Sequence, residues 1–270
     1  MSRGGAIQHD RARDRRGLAI FLLLAFTLSG LVSLPVLQAG SLAAWDGWAL
    51  PLLMWAPGVA GVVTSLVVYR SVQPLGLAVH RRTWRWALLC LCIPVAYTLL
   101  VYPALSALGV VRLGHGNIQP AFFLLGMLVS LRTALGEELG WRGFAAPVME
   151  RLFGFVPGQL VLGLVWFLYH LPLLLLTDYG KSAHPVYGNA MFLASVVGLS
   201  LFLGWVRRAG GSVWPCALLH ASHNLVFLHL FDPLTPTSPA AGWLVGEQGA
   251  LLAGAQLLLG LAAWHAARRA

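Results

Sequence analysis

A chain of 270 residues with 58% hydrophobic and only 10% charged side chains, and a mean hydropathy of +0.75, falls outside the soluble globular class, which carries about 25% charge. It reads as an all-α, polytopic membrane helix bundle forming a single integral membrane domain over residues 1–270. The formal net charge of +9 does not indicate nucleic acid, because the basic residues flank the apolar runs and do not gather on one face or tail.

A bilayer core about 30 Å thick needs about 20 apolar residues per helical crossing, and about eight stretches meet or approach that length. In chain order they cover residues 17–38, 48–70, 84–108, 118–150, 156–177, 186–206, 212–231 and 241–264. The first has a basic lead from Arg11 to Arg16, but its apolar run exceeds the 7 to 15 residues usual for a signal peptide, so it is expected to be a retained anchor. Cys90 and Cys92 in the third and Cys216 in the seventh lack metal or redox spacing and read as small buried residues. The fourth run is too long for a straight crossing and must tilt, bend near Pro147, or continue along the interface.

Lys and Arg are enriched in cytoplasmic loops, and this count places fifteen of the eighteen on one side with both termini. Only Arg112 and Lys181 fall opposite, and Arg132 lies inside a span. Both termini are therefore expected in the cytoplasm, and the Arg-, Ala-, Gly- and Leu-rich composition suits a bacterial inner-membrane protein. No internal repeat is visible, which disfavours a transporter built from two related halves.

Seven of the nine acids (Asp10, Asp14, Asp46, Glu150, Asp178, Asp232 and Glu247) read as terminal or loop residues. Glu137 and Glu138 do not. An ionised side chain inside the bilayer costs at least about 2.5 to 3.5 kcal/mol, so this pair demands a function or a counter-charge. On a helix Glu138 and Arg142 are one turn apart in the favoured orientation, while Glu137 points about 100° away. Glu138 is thus expected to be a structural ion-pair partner, with Glu137 left for chemistry. The plainer reading, two acids capping a helix at the cytoplasmic surface, stands beside it.

Polar residues recur in two more spans. His170 follows Trp166 at one turn and precedes Leu171 and Pro172. Alone it would read as a satisfied packing histidine. His220 and Asn224 are four apart on one helical face with His223 nearby, and interhelical hydrogen bonding would explain them. At about 1.5 Å per residue, Glu137, His170, His220 and Asn224 all fall at similar depth, roughly 12 to 21 Å from their cytoplasmic ends. Three helices can therefore meet in one polar pocket, with Gly140, Gly143 and Gly163 permitting close approach.

Such a pocket has the parts for amide hydrolysis. A carboxylate in a low-dielectric site can take a proton from water, a histidine can share it and deliver it to the leaving amine, and a second histidine with an Asn amide can donate to the oxyanion. Glu137, His170 and His220 can equally be arranged around a divalent metal such as zinc, although no His-Glu-x-x-His helix is present. Two further classes remain open: a proton-coupled transporter using the same groups as a relay, and a non-catalytic immunity or scaffold protein.

In this order and spacing, Glu137-Glu138-x-x-x-Arg142, Trp166-x-x-x-His170 with Leu171-Pro172, and His220-x-x-x-Asn224 after Gly211-Ser212-Val213-Trp214-Pro215 resemble the motifs of the CPBP family. That family includes type II CAAX prenyl endopeptidases and bacteriocin-processing or Abi-type membrane proteases. The resemblance covers a motif-bearing core of about residues 118–231 and extends to the first three spans only by architecture. It implies an intramembrane endopeptidase acting on peptide or membrane-protein substrates, with a cavity open toward the cytoplasm. It also implies Glu137 as the water-activating base, His170 as its partner, His220 and Asn224 as the oxyanion pair, and Glu138 with Arg142 as a supporting ion pair. Members are described both as metalloproteases and as metal-independent glutamate proteases. Trp166 stands where the second motif often has Phe, an exchange expected to keep the aromatic packing. His223 and Arg132 have no counterpart in the motifs.

Overall fold

The computed structural model describes residues 3–44, 47, 49–114, 120–179, 184–231, 234 and 241–269, with the side chains of 3–10 and 120–122 excluded. Trp48, Ile118, Lys181, Asp46 and Asp232 lie outside the described residues. Among the described residues the regular elements are all helical.

Helix α1 spans Arg3–Ala39, so the basic lead is helical and is not a separate tail. Helix α2 (Ala49–Thr64) ends in a π turn, and α3 covers Arg81–Ala107. The long fourth run becomes α4 (Pro120–Glu138), a π segment (Leu139–Ala145) and α5 (Ala146–Phe153). Its interruption is therefore the π segment. Pro147 does not break the helix, whose backbone runs on from the π segment through Ala145 and Ala146 in right-handed helical geometry. Helices α6 (Phe155–Leu176) and α7 (Pro185–Gly210) follow as single elements. Helix α8 (Trp214–His223) continues into a second π segment, Asn224–Phe231.

The expected last crossing is divided. A short α9 (Ala241–Leu244) is separated from α10 (Ala250–Ala267) by a turn in which Gly246 adopts a φ of +85°. Among the described residues six helices are long and apolar enough on their own to cross a membrane, and the stretches carrying the acidic pair and the His220 cluster are not among them.

The outer surface of this bundle carries Leu88, Leu100, Leu124, Leu125, Leu128 and Leu258, while Glu138, Arg142, Gln159 and Gln256 are buried. That arrangement suits an integral membrane protein, whose helices gain little by hiding leucine from lipid and associate through close packing and internal polar contacts. The centre is aromatic. Trp141 meets Phe21 and Tyr169 edge-on at 5.5 and 5.2 Å, and the Tyr169 hydroxyl donates to Leu53 O at 3.1 Å. Asp14, expected near a terminus, instead lies buried within α1, where it accepts two hydrogen bonds from Arg151 at 2.8 and 2.9 Å and one from Tyr69.

Helix α2 packs tightly on α4 and on the π segment that follows it. The reason is glycine: a Cβ on Gly136 would strike Met54 O and Trp55, and one on Gly140 would strike the backbone of Pro57. The acidic pair lies between these two contacts in sequence, so its backbone is held against α2 on both sides. Gly140→Ala is expected to destabilise the protein by about 1 to 3 kcal/mol through overpacking, seen as a lower thermal midpoint in detergent. Gly254→Ala, where a Cβ meets nothing within 4 Å, should leave the midpoint unchanged.

Candidate active site

Glu137 and Glu138 end α4 just where the helix widens. The N–H of Ala146 bonds back to Trp141 O, five residues earlier, which identifies a π turn, a feature often found at functional sites. Glu138 has no exposed surface, and neither has Arg142. The Arg142 Nη1 donates to Glu138 Oε1 at 3.0 Å, as the helical spacing indicated. The same oxygen has a second partner, His220 Nδ1 at 2.9 Å, contributed by α8. Glu138 is therefore more than a partner of Arg142, because it also fixes an imidazole from another helix.

Trp166 of α6 completes this cluster. Its ring lies under the Arg142 guanidinium at 3.9 Å, and its indole N–H donates to Glu137 Oε2 at 3.3 Å. Glu137 is consequently not left without a partner, as the sequence suggested. One of its oxygens is held and the other stays available. The indole also does what a Phe ring could not, so the exchange at position 166 changes more than packing.

Glu137, His170, His220 and Asn224 all line one cavity of about 600 Å³. The cavity brings together the four residues read as the working set. His170 Nδ1 lies 2.8 Å from Trp166 O, and since a carbonyl only accepts, that nitrogen carries the proton and Nε2 is left as the second functional atom. His220 has Nδ1 committed to Glu138, which likewise leaves Nε2. When His220 is protonated, Nε2–H becomes a charged donor whose charge Glu138 balances.

His223, unassigned by the motifs, faces the same cavity through a different network. Its Nδ1 is 2.5 Å from the Tyr97 hydroxyl, and its Nε2 lies 3.7 Å from Glu247 Oε1. The other Glu247 oxygen accepts from the Tyr179 hydroxyl at 3.0 Å. Burial alone would push the Glu247 carboxyl upward, but the His223 imidazole and the Tyr179 hydroxyl outweigh it and hold this group below the usual carboxylate range. Glu247 thus reaches the cavity from a turn, where its sequence context marked it only as a loop acid. Tyr97 and Tyr179 gave no signal at all, because a tyrosine in an apolar run reads as packing.

The geometry also tests a metal. Glu137, His170 and His220 share the cavity wall, yet among the described residues no group of three His, Cys, Asp or Glu side chains is placed to hold an ion. His220 Nδ1 and Glu137 Oε2 are already hydrogen-bonded, which leaves the other nitrogen and the other oxygen of these two side chains for a further partner. Chemically, the wall offers a carboxylate, two imidazoles with open Nε2 positions and a carboxamide.

Arg142→Ala should cost about 3 kcal/mol or more, because it leaves Glu138 buried with only His220 against its charge. A drop in thermal midpoint and in yield of monodisperse protein, partly recovered in Glu138→Gln/Arg142→Ala, is the expected outcome.

Residues 118–226 match the family model described as type II CAAX prenyl endopeptidase Rce1-like. A curated relative, CAAX prenyl protease 2 of Methanococcus maripaludis, is 27% identical over 93 residues, which is 33% of this chain and 32% of that protein. The match thus spans about a third of the relative's length. The region matched holds Glu137, Glu138, Arg142, Trp166, His170, His220 and Asn224, the residues that build the cavity wall and its ion-pair cluster. Over residues 118–226, then, the chain is similar to Rce1-like type II CAAX prenyl endopeptidases.

Proposed function

We propose that the protein is an intramembrane endopeptidase that hydrolyses peptide bonds of membrane-associated peptides or membrane proteins. The observation that carries this reading is the single cavity lined by Glu137, His170, His220 and Asn224. Water bound against Glu137 loses a proton to the carboxylate as its oxygen attacks the peptide carbonyl carbon. The carbonyl π electrons move to oxygen, where His220 Nε2–H and the Asn224 amide donate to the oxyanion. Collapse of the tetrahedral species re-forms the carbonyl and breaks the C–N bond, while the amine nitrogen takes a proton passed from Glu137 through His170.

Glu138, Arg142 and Trp166 are positioning residues in this scheme. Glu138 accepts from His220 Nδ1–H and balances the charge of the protonated ring whose Nε2–H donates to the oxyanion, and Trp166 holds one oxygen of Glu137. Much of the cavity wall is apolar, with Phe26, Leu37, Leu42, Leu50, Met54 and Val129 on it, which suits a substrate that is apolar or lipid-modified near its cut bond. The name of the curated relative points to prenylated CAAX peptides as the first substrates to try. The arginine distribution favours cytoplasmic termini and access from that side.

In reconstituted protein, Glu137→Gln should lower peptide cleavage by about 10²- to 10⁴-fold with the fold intact, and unchanged cleavage would remove Glu137 from the mechanism. Trp166→Phe keeps an aromatic ring over Arg142 but removes the N–H, so kcat should fall about tenfold while KM and thermal midpoint stay put. Water activation is assigned to Glu137 itself, so cleavage should survive treatment with 1,10-phenanthroline. Loss of cleavage restored by zinc would transfer that role to a metal.

A further inference from the structure

The cavity holds an arginine that the reaction does not use. Arg132 belongs to α4, lines the cavity and is an exposed residue. Among the described residues no hydrogen bond or ion pair reaches it, and the adjacent Thr133 hydroxyl is engaged with Val129 O and Ser130 O.

The acids of the cavity are already engaged. Glu137 accepts from Trp166, while Glu247 accepts from Tyr179 and faces His223. Glu138, behind the wall, is matched by Arg142 and His220. Among the described residues, Arg132 therefore faces the cavity without a carboxylate partner. A guanidinium carries five N–H donors in a planar fork suited to a carboxylate, and leaving it unpaired at membrane depth is costly.

Arg132 precedes Glu137 by five residues, about 7.5 Å along the axis of α4. An extended peptide advances about 3.3 Å per residue, and the two side chains also stand about 140° apart around the helix, so they are separated by at least about two residues of substrate. We propose that Arg132 is a subsite for a carboxylate that the substrate peptide carries about two residues from its cut bond, an inference that rests on the endopeptidase reading above. The carboxylate can be the peptide's own C-terminus or an acidic side chain, and Arg132 makes the protein selective for peptides bearing it.

Binding separates this subsite from the chemistry. The probe is a fluorescent apolar decapeptide that the wild-type protein cuts, prepared as the C-terminal acid, as the C-terminal amide, and as the amide with Asp two residues from the cut bond. Affinities are measured on reconstituted Glu137→Gln protein and on Arg132→Gln/Glu137→Gln. The first should bind one of the two anionic peptides about tenfold more tightly than the neutral amide, and the double variant should bind all three equally. Preference for the acid identifies a terminal carboxylate, and preference for the Asp peptide identifies a side chain. Equal binding to Glu137→Gln protein, or a preference that persists without Arg132, overturns the proposal. Weakening of all three peptides alike by Arg132→Gln also overturns it, and would assign Arg132 to the surrounding lipid. Failure of the endopeptidase reading looks different, since the wild-type protein would then leave every such peptide uncut, whatever its binding preference.

Discussion

A carboxylate with no exposed surface joins the elements that carry the polar residues. Glu138 sits at the end of α4, receives Arg142 from the π segment and receives His220 from α8, while Arg142 rests on the Trp166 ring of α6. Each ion alone would be expensive so far from water, and their mutual compensation is what makes the arrangement tenable. Removing one charge does not merely delete a contact, because it strands the others. The position of the cavity follows from this cluster, since His220 and Trp166 both turn from Glu138 and Arg142 toward the wall that contains Glu137.

Two neighbouring acids thereby acquire opposite duties. Glu138 is closed in by donors on one oxygen, whereas Glu137 borders the cavity with one oxygen held by an indole. The 100° between adjacent residues on a helix is enough to separate them. A second network, built from Tyr97, His223, Glu247 and Tyr179, reaches the same cavity through the last three and ties the turn before α10 to α3, α8 and the turn after α6. The cavity is thus walled by residues from most of the bundle, and the acidic pair is only its centre.

Composition and apolar run length were sufficient to read a helical membrane bundle, and spacing was sufficient to pair Glu138 with Arg142, because both depend on local geometry. Helical depth also anticipated that Glu137, His170, His220 and Asn224 share a cavity, since rise per residue is nearly constant. What could not be read were contacts between distant segments. The Glu138 to His220 bond joins residues 82 apart, and the Trp166 indole reaches back 29 residues to Glu137. Nothing in either local sequence encodes the partner. The division of the last crossing was likewise hidden, because Gly246 and Gly249 sit in a stretch otherwise apolar enough to pass as one helix. Asp14 was misplaced for a related reason: its basic neighbours suggested a solvated tail, and only the fold supplies Arg151 and Tyr69.

The widened turns after Glu138 and at Asn224 have a consequence for how such a protein can change over time. A π segment accommodates an additional residue per turn relative to an ordinary α-helix. Deleting one position between Leu139 and Trp141 would let the backbone relax into regular α geometry, yet would bring Arg142 to three residues from Glu138 and turn it by about 100° relative to that acid. The acids would then face a different neighbour although every side chain of the motif survived. In this region the number of residues is itself a constraint, and insertions or deletions should be far less tolerated than exchanges of one apolar side chain for another.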